Sequence, residues 1–143
     1  MRKIIFGILL CITAINLYAK PYKGCGVDRI TETNMQLGNY KGSQVGTTIF
    51  INCNSGYHIK FQSRNLRSSL GDSFLQNTIY PKYKVNTRMS INSGGGSYVW
   101  GRSVSGITGS NIKYSIAVEL ADYLNRNLPA GDYEDTISVN IGF

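Results

Sequence analysis

Histidine occurs once in this chain of 143 residues, at position 58. His58 alternates with Tyr57 and Ile59 and stands beside Lys60, the pattern of an outward, solvated side chain. No second histidine exists to build a metal site or a relay. No serine, threonine or cysteine in the chain is credibly paired with a base, and we expect no enzyme. Acidic residues are also scarce, 8 against 15 Lys and Arg. Three of them, Asp132, Glu134 and Asp135, crowd one turn. Paired acid–base carboxylates or a calcium cluster would need supporting ligands that are not nearby, so the turn reads as flanked by solvated acids. The run Gly94-Gly-Gly96 lacks the Lys-Ser/Thr of a phosphate-binding loop and reads as a flexible turn. Internal repeats and low-complexity tracts are absent. No cofactor and no metal are expected.

Long apolar runs are missing too. The longest, Ile4 to Ile15, is too short to span a bilayer. Preceded by Arg2 and Lys3 and followed by Leu17-Tyr-Ala19, it reads as a secretory signal peptide over residues 1–19. Lipid attachment at Cys11 is disfavoured, because Leu10 stands where a small residue is needed and the apolar run would be cut. The exported chain is then 20–143, one domain with no membrane span. It keeps 13 basic and 8 acidic residues, a net charge of +5 with no dense basic cluster. That is a mildly basic, soluble surface. Only Cys25 and Cys53 remain of three cysteines. In an oxidising compartment they are expected to form one disulfide, stabilising by about 3–4 kcal/mol in the chain-entropy picture. Metal binding is the weaker reading, with two sulfurs and no adjacent ligands.

What is present is alternation. The closing stretch, Leu128-Pro-Ala-Gly-Asp-Tyr-Glu-Asp-Thr-Ile-Ser-Val-Asn-Ile-Gly-Phe143, begins with a Pro/Gly turn. Tyr133, Ile137, Val139, Ile141 and Phe143 then share one parity, and Glu134, Thr136, Ser138 and Asn140 the other, which predicts a strand with one buried face. Asp135 breaks the apolar parity near the turn, where water or backbone N–H groups can reach it. Further strands are predicted over 25–30, 47–53, 57–63, 83–91 and 112–120. The stretch 47–53 and the stretch 57–63 flank Asn54-Ser-Gly56 and read as a β-hairpin. Residues 64–77 read as loop plus one short strand, and Asn92 to Ser97 as a hairpin turn or flexible loop leading to Tyr98-Val-Trp100. A helix over 115–125 is the rival of the strand ending at Leu120. About seven short strands without a long helix predict an all-β sandwich or barrel.

The residues Gly24-Cys25-Gly-Val27, Thr47-Thr-Ile-Phe-Ile-Asn-Cys53 with a following Tyr-x-Ile-x-Phe strand, and Ala130-Gly-Asp-Tyr-Glu-Asp-Thr-Ile-Ser-Val-Asn-Ile-Gly-Phe143 resemble the spore coat protein U domain of archaic chaperone–usher pilus subunits. The closing motif is the specific part. In the middle the chain departs, with Tyr83-Lys-Val-Asn-Thr-Arg88 where the family tends to end a Tyr-x-hydrophobic-Tyr strand in an acid. The resemblance implies an immunoglobulin-like sandwich that is incomplete, lacking its last strand, which a donor strand from another chain supplies. It implies a fimbrial subunit, exported to the periplasm and then the cell surface, supporting adhesion or biofilm. Its partners would be a periplasmic chaperone, an outer-membrane usher and neighbouring subunits. The donor-strand groove would be lined by Val27, Ile137, Val139, Ile141 and Phe143. A donor extension needs about ten residues at about 3.3 Å each. Only Lys20 to Gly24 precede Cys25 in the exported chain, so the resemblance implies a minor or terminal subunit that accepts a strand.

Two other readings stay open. A self-complete secreted sandwich could bind carbohydrate or a surface through Tyr80, Tyr83, Tyr98 and Trp100. Ten tyrosines interspersed with Lys and Arg could stack bases, as in an OB-fold. For an exported chain tyrosines on a sandwich surface are the better account, and no nucleic-acid partner is expected.

Overall fold

Period-2 alternation buries one face of each strand, so the strands must stack in two layers to hide those faces from water. The computed structural model describes residues 25–94 and 98–142, and there the chain forms nine strands. They are β1 (Cys25–Ile30), β2 (Gln44–Cys53), β3 (His58–Ser63), β4 (Asp72–Asn77), β5 (Lys84–Asn92), β6 (Ser103–Ser105), β7 (Gly109–Leu120), β8 (Tyr133–Glu134) and β9 (Ile137–Gly142). One sheet has the order β1-β2-β7-β5-β4-β8 and the other β6-β3-β9, and every pairing is antiparallel. The fold is an immunoglobulin-like β-sandwich. The expected signal peptide over 1–19, the segment 20–24, residues 95–97 of the expected 92–97 turn, and Phe143 lie outside the described residues. No helix forms over 115–125: the strand β7 runs to Leu120, and the residues beyond it are irregular.

Its core follows the parity of the sequence. Ile49 and Ile51 of β2, Leu75 of β4, Val85 and Met89 of β5, and Tyr114, Ile116, Val118 and Leu120 of β7 face inward from the large sheet. Ile59, Phe61, Ile137 and Val139 meet them from the small one. Each such side chain contributes about 1.5–3 kcal/mol by leaving water. Phe50 faces the other side of β2 and is buried as well. The Arg29 guanidinium lies 4.1 Å from its ring centre and the Lys113 ammonium 5.5 Å, so two cations on neighbouring strands roof an outward aromatic.

The hairpin expected from 47–53 and 57–63 does not form. β2 pairs with β1 and β7, whereas β3 pairs with β6 and β9. Asn54 to Gly56 carry the chain from one sheet to the other. Paired side by side, the two strands would present both apolar faces in the same direction. Stacked in opposite sheets, they bury Ile49 and Ile51 against the side occupied by Ile59 and Phe61. The expected disulfide is present. Cys25 and Cys53 stand directly opposite each other in the β1–β2 register and close a sequence separation of 28.

Gly71 leaves no room for a side chain. Gly71 turns into β4 at φ +97, and a Cβ there would lie 2.0 Å from the Met89 carbonyl oxygen. Its N–H donates to the Ser68 carbonyl and its carbonyl accepts from the Met89 N–H, so the turn is bonded on both sides.

Candidate functional site

The two sheets end on strands from opposite ends of the described chain. β1 closes the large sheet and pairs with β2 alone; β9 closes the small one and pairs with β3 alone. Among the described residues no second strand lies beside either. The ladder on β9 is regular from Ser63↔Ile137 to His58↔Gly142. That on β1 shifts register between Val27 and Arg29, the kind of bulge that re-aims an edge.

The groove residues named from the sequence divide. Ile137 and Val139 are fully covered by the chain's own core. Val27 and Ile141 are half-buried, one on each terminal strand, and both pack against that core. Ile30, an apolar anchor of the predicted 25–30 strand, is half-buried in the same way at the far end of β1. What an incoming strand would find exposed is therefore the backbone edge with Val27, Ile30 and Ile141, since Ile137 and Val139 are already covered.

The four candidate surface aromatics do not share a surface. Trp100 is only 3% exposed and stands edge-on to Phe61 at 6.3 Å, so it cannot stack on a sugar ring. Its neighbours in the short Tyr98-Val-Trp100 segment suggest an exposed loop residue; instead the backbone N–H of Trp100 bonds the Ser69 carbonyl, which holds that segment against the 68–71 turn. Tyr98 is half-buried and points its hydroxyl at Tyr114. Tyr80 is exposed and Tyr83 half-buried, edge-to-face at 6.5 Å. His58 is exposed, as its parity requires.

Two buried polar clusters escaped the sequence. In the first, Tyr57 and Tyr114 hydroxyls lie 2.7 Å apart, and Tyr98 and Tyr114 hydroxyls 3.3 Å. Burial removes the water that would stabilise a phenolate. It pushes Tyr98 and Tyr114 up to about 12 and raises Tyr57 above its ordinary 10.0. The second corrects the solvated reading of the closing turn. Asp135 is 0% exposed. Its Oδ2 accepts from the hydroxyls of Ser63 and of Ser73, the latter at 2.8 Å. Its Oδ1 accepts from the backbone N–H of Asn65 at 3.1 Å and of Thr136 at 2.8 Å. Inward parity forces the carboxylate inside, and four donors replace its water. The expectation that backbone N–H groups reach Asp135 holds; its exposure does not. The signal was the parity exception itself, but the serines that answer it come from β3 and β4.

Comparison with known proteins adds a likeness to solved structures. No protein-family model matches the chain, and no curated protein matches it. Among solved structures, a chain from the crystal structure of the CsuC–CsuE chaperone–tip adhesion subunit pre-assembly complex, from the archaic chaperone–usher Csu pili of Acinetobacter baumannii, aligns with a TM-score of 0.45 at 20% identity. The alignment covers 84% of this chain and 39% of that one.

Proposed function

We propose that this protein is a non-enzymatic subunit of a chaperone–usher surface fimbria, assembled when a strand from another chain is added to its sandwich. The observation that carries the reading is β9. Its side chains Ile137 and Val139 are core residues, yet among the described residues the strand has a neighbour on one side only. A strand that is central by its side chains and terminal by its pairing is a template for β-augmentation. β1, the end strand of the opposite sheet, provides a second edge, and the sequence resemblance to the spore coat protein U domain gives the class of assembly. The partners are then a periplasmic chaperone, an outer-membrane usher and neighbouring subunits. The place of action is the periplasm followed by the cell surface, in support of adhesion or biofilm. Because only Lys20 to Gly24 separate the expected cleavage site from Cys25, the role assigned is that of an acceptor, in a minor or terminal position.

The test is thermal melting of the exported chain with and without a peptide of about ten residues alternating apolar and polar side chains, at about 3.3 Å per residue long enough to cover β9. A rise in Tm together with new protection of β9 amides from hydrogen exchange supports the reading. An unchanged Tm, with β9 amides already protected in the monomer, defeats it.

A further inference from the structure

Among the described residues, four of the five large exposed apolar side chains, Tyr40, Ile79, Tyr80 and Tyr123, belong to three loops at one end of the large sheet. Backbone bonds hold these loops in place: Gly42 N–H to the Leu120 carbonyl at the end of β7, Thr78 N–H to the Asp132 carbonyl ahead of β8, and Ala121 N–H to the Asn86 carbonyl of β5. Between the start of β5 and the 121–128 loop lies an open depression of about 320 Å³. Lys84, Val85, Asp122, Tyr123, Asn125 and Leu128 line it. Tyr123 is 80% exposed.

The chemistry of this lining is mixed. Asp122 commits Oδ2 to the Asn86 N–H at 2.9 Å, which anchors the loop to β5. Asn125 accepts from the Asn127 N–H through Oδ1, which turns its carboxamide N–H group away from that bond. Lys84 and Lys41 do not rest on carboxylates. Among the described residues the single ion pair is Arg88–Asp72, and the two ammonium groups lie over rings instead, Lys84 at 4.4 Å from Phe74 and Lys41 at 4.5 Å from Tyr123. Val85 and Leu128 supply apolar surface. A phenol ring, an ammonium, a carboxamide and a carboxylate around an open, largely polar cleft suit a ligand that alternates C–H faces with hydroxyls able both to donate and to accept. The cationic groups that lack a carboxylate partner favour a ligand that carries one.

We propose that this cleft binds a carboxylated oligosaccharide, such as one containing hexuronate. A sugar ring stacks on Tyr123, Asn125 and Asp122 meet its hydroxyls, and Lys84 pairs with its carboxylate. A polyphosphate backbone, charged at every repeat, fits less well, since Asp122 inside the cleft leaves room for one anionic group, placed at Lys84, and repels the next. The site uses no residue of β1 or β9, so it stands or falls separately from strand complementation.

The decisive experiment is an NMR titration of the exported chain with three probes: a glucuronate-containing tetrasaccharide, a neutral N-acetylglucosamine tetramer of equal length, and a sulfonated polymer without sugar. The expected result is that the glucuronate probe shifts the amide signals of residues 84–85 and 121–125 and binds more tightly than the neutral one. Tyr123→Ala weakens both sugars, and Lys84→Met weakens the glucuronate probe on the order of tenfold while sparing the neutral one. Both side chains are exposed, and an unchanged Tm of each variant certifies the fold. The proposal is overturned if the cleft amides do not move at millimolar sugar, if the sulfonated polymer moves them in the same way, or if neither substitution alters the titration.

Discussion

At the scale of single residues, Asp135 carries the sharpest consequence. A carboxylate without solvent contact is tolerated only while its donors hold it. Asp135→Ala orphans the hydroxyls of Ser63 and Ser73 and the N–H groups of Asn65 and Thr136 in the interior. We expect a loss of about 2–4 kcal/mol, read from urea unfolding, with Asp135→Asn intermediate because it keeps one acceptor oxygen. The tyrosine cluster predicts the alkaline limit of stability. Tyr98 and Tyr114 ionise near 12 in the folded chain and near 10.0 when unfolded. The unfolded state therefore binds fewer protons between those values, and stability falls as pH rises from about 10 to about 12. Absorbance at the phenolate band during a pH titration should show these tyrosines ionising together with unfolding. Tyr114→Phe should remove part of that dependence while costing stability at neutral pH, since it leaves the Tyr57 and Tyr98 hydroxyls without their shared partner. Neither cluster could be read from sequence, because Ser63, Ser73 and Asp135, like Tyr57, Tyr98 and Tyr114, are far apart along the chain.

Elements were legible where they are long and alternate. The strand ending at Leu120 and the 57–63 stretch follow parity, and their inward sets, Tyr114 to Leu120 and Ile59 with Phe61, are buried; the closing stretch, expected as one strand from Tyr133, instead splits into β8 in the large sheet and β9 in the small one, with Ile137 and Val139 buried. β6 and β8, with three and two residues, are too short to carry a period. Parity names the buried face of a strand and is silent about its neighbour, so the alternation of 47–53 and 57–63 suggests a hairpin that the two-sheet packing does not form. Their separation into two sheets makes the Cys25–Cys53 bond a fastener of the β1 edge to β2 rather than a link between layers. The variant with both cysteines changed to serine should lose about 2–5 kcal/mol in guanidinium unfolding. Hydrogen exchange should show β1 fraying before β7, which is flanked by β2 and β5.

For the molecule as a whole, the governing fact is that among the described residues each sheet stops at a strand with one side open, β1 in one layer and β9 in the other. An added strand should therefore raise Tm. Ile141→Lys, placing a charge on the β9 edge, should abolish that rise with little effect on the unassisted fold, because Ile141 is only half-buried whereas Ile137 and Val139 are enclosed. A differential scanning calorimetry series of the two proteins with and without the peptide checks this. If Ile141→Lys responds to the peptide as the parent does, the strand enters elsewhere.

The sequence alone determined the class of the fold, the faces of the longer strands and the cysteine pair. These depend on the order of apolar and polar residues along the chain and on the count of thiols. Tertiary structure decided which strands are neighbours and which edges stay open. It also decided that Trp100 lies inside and that Asp135 is held by two serines from different strands. It gathered Tyr123, Lys84 and Asp122 into one cleft. Each of these rests on contacts between segments distant in sequence, and those contacts are set by how two sheets stack, which no local periodicity encodes.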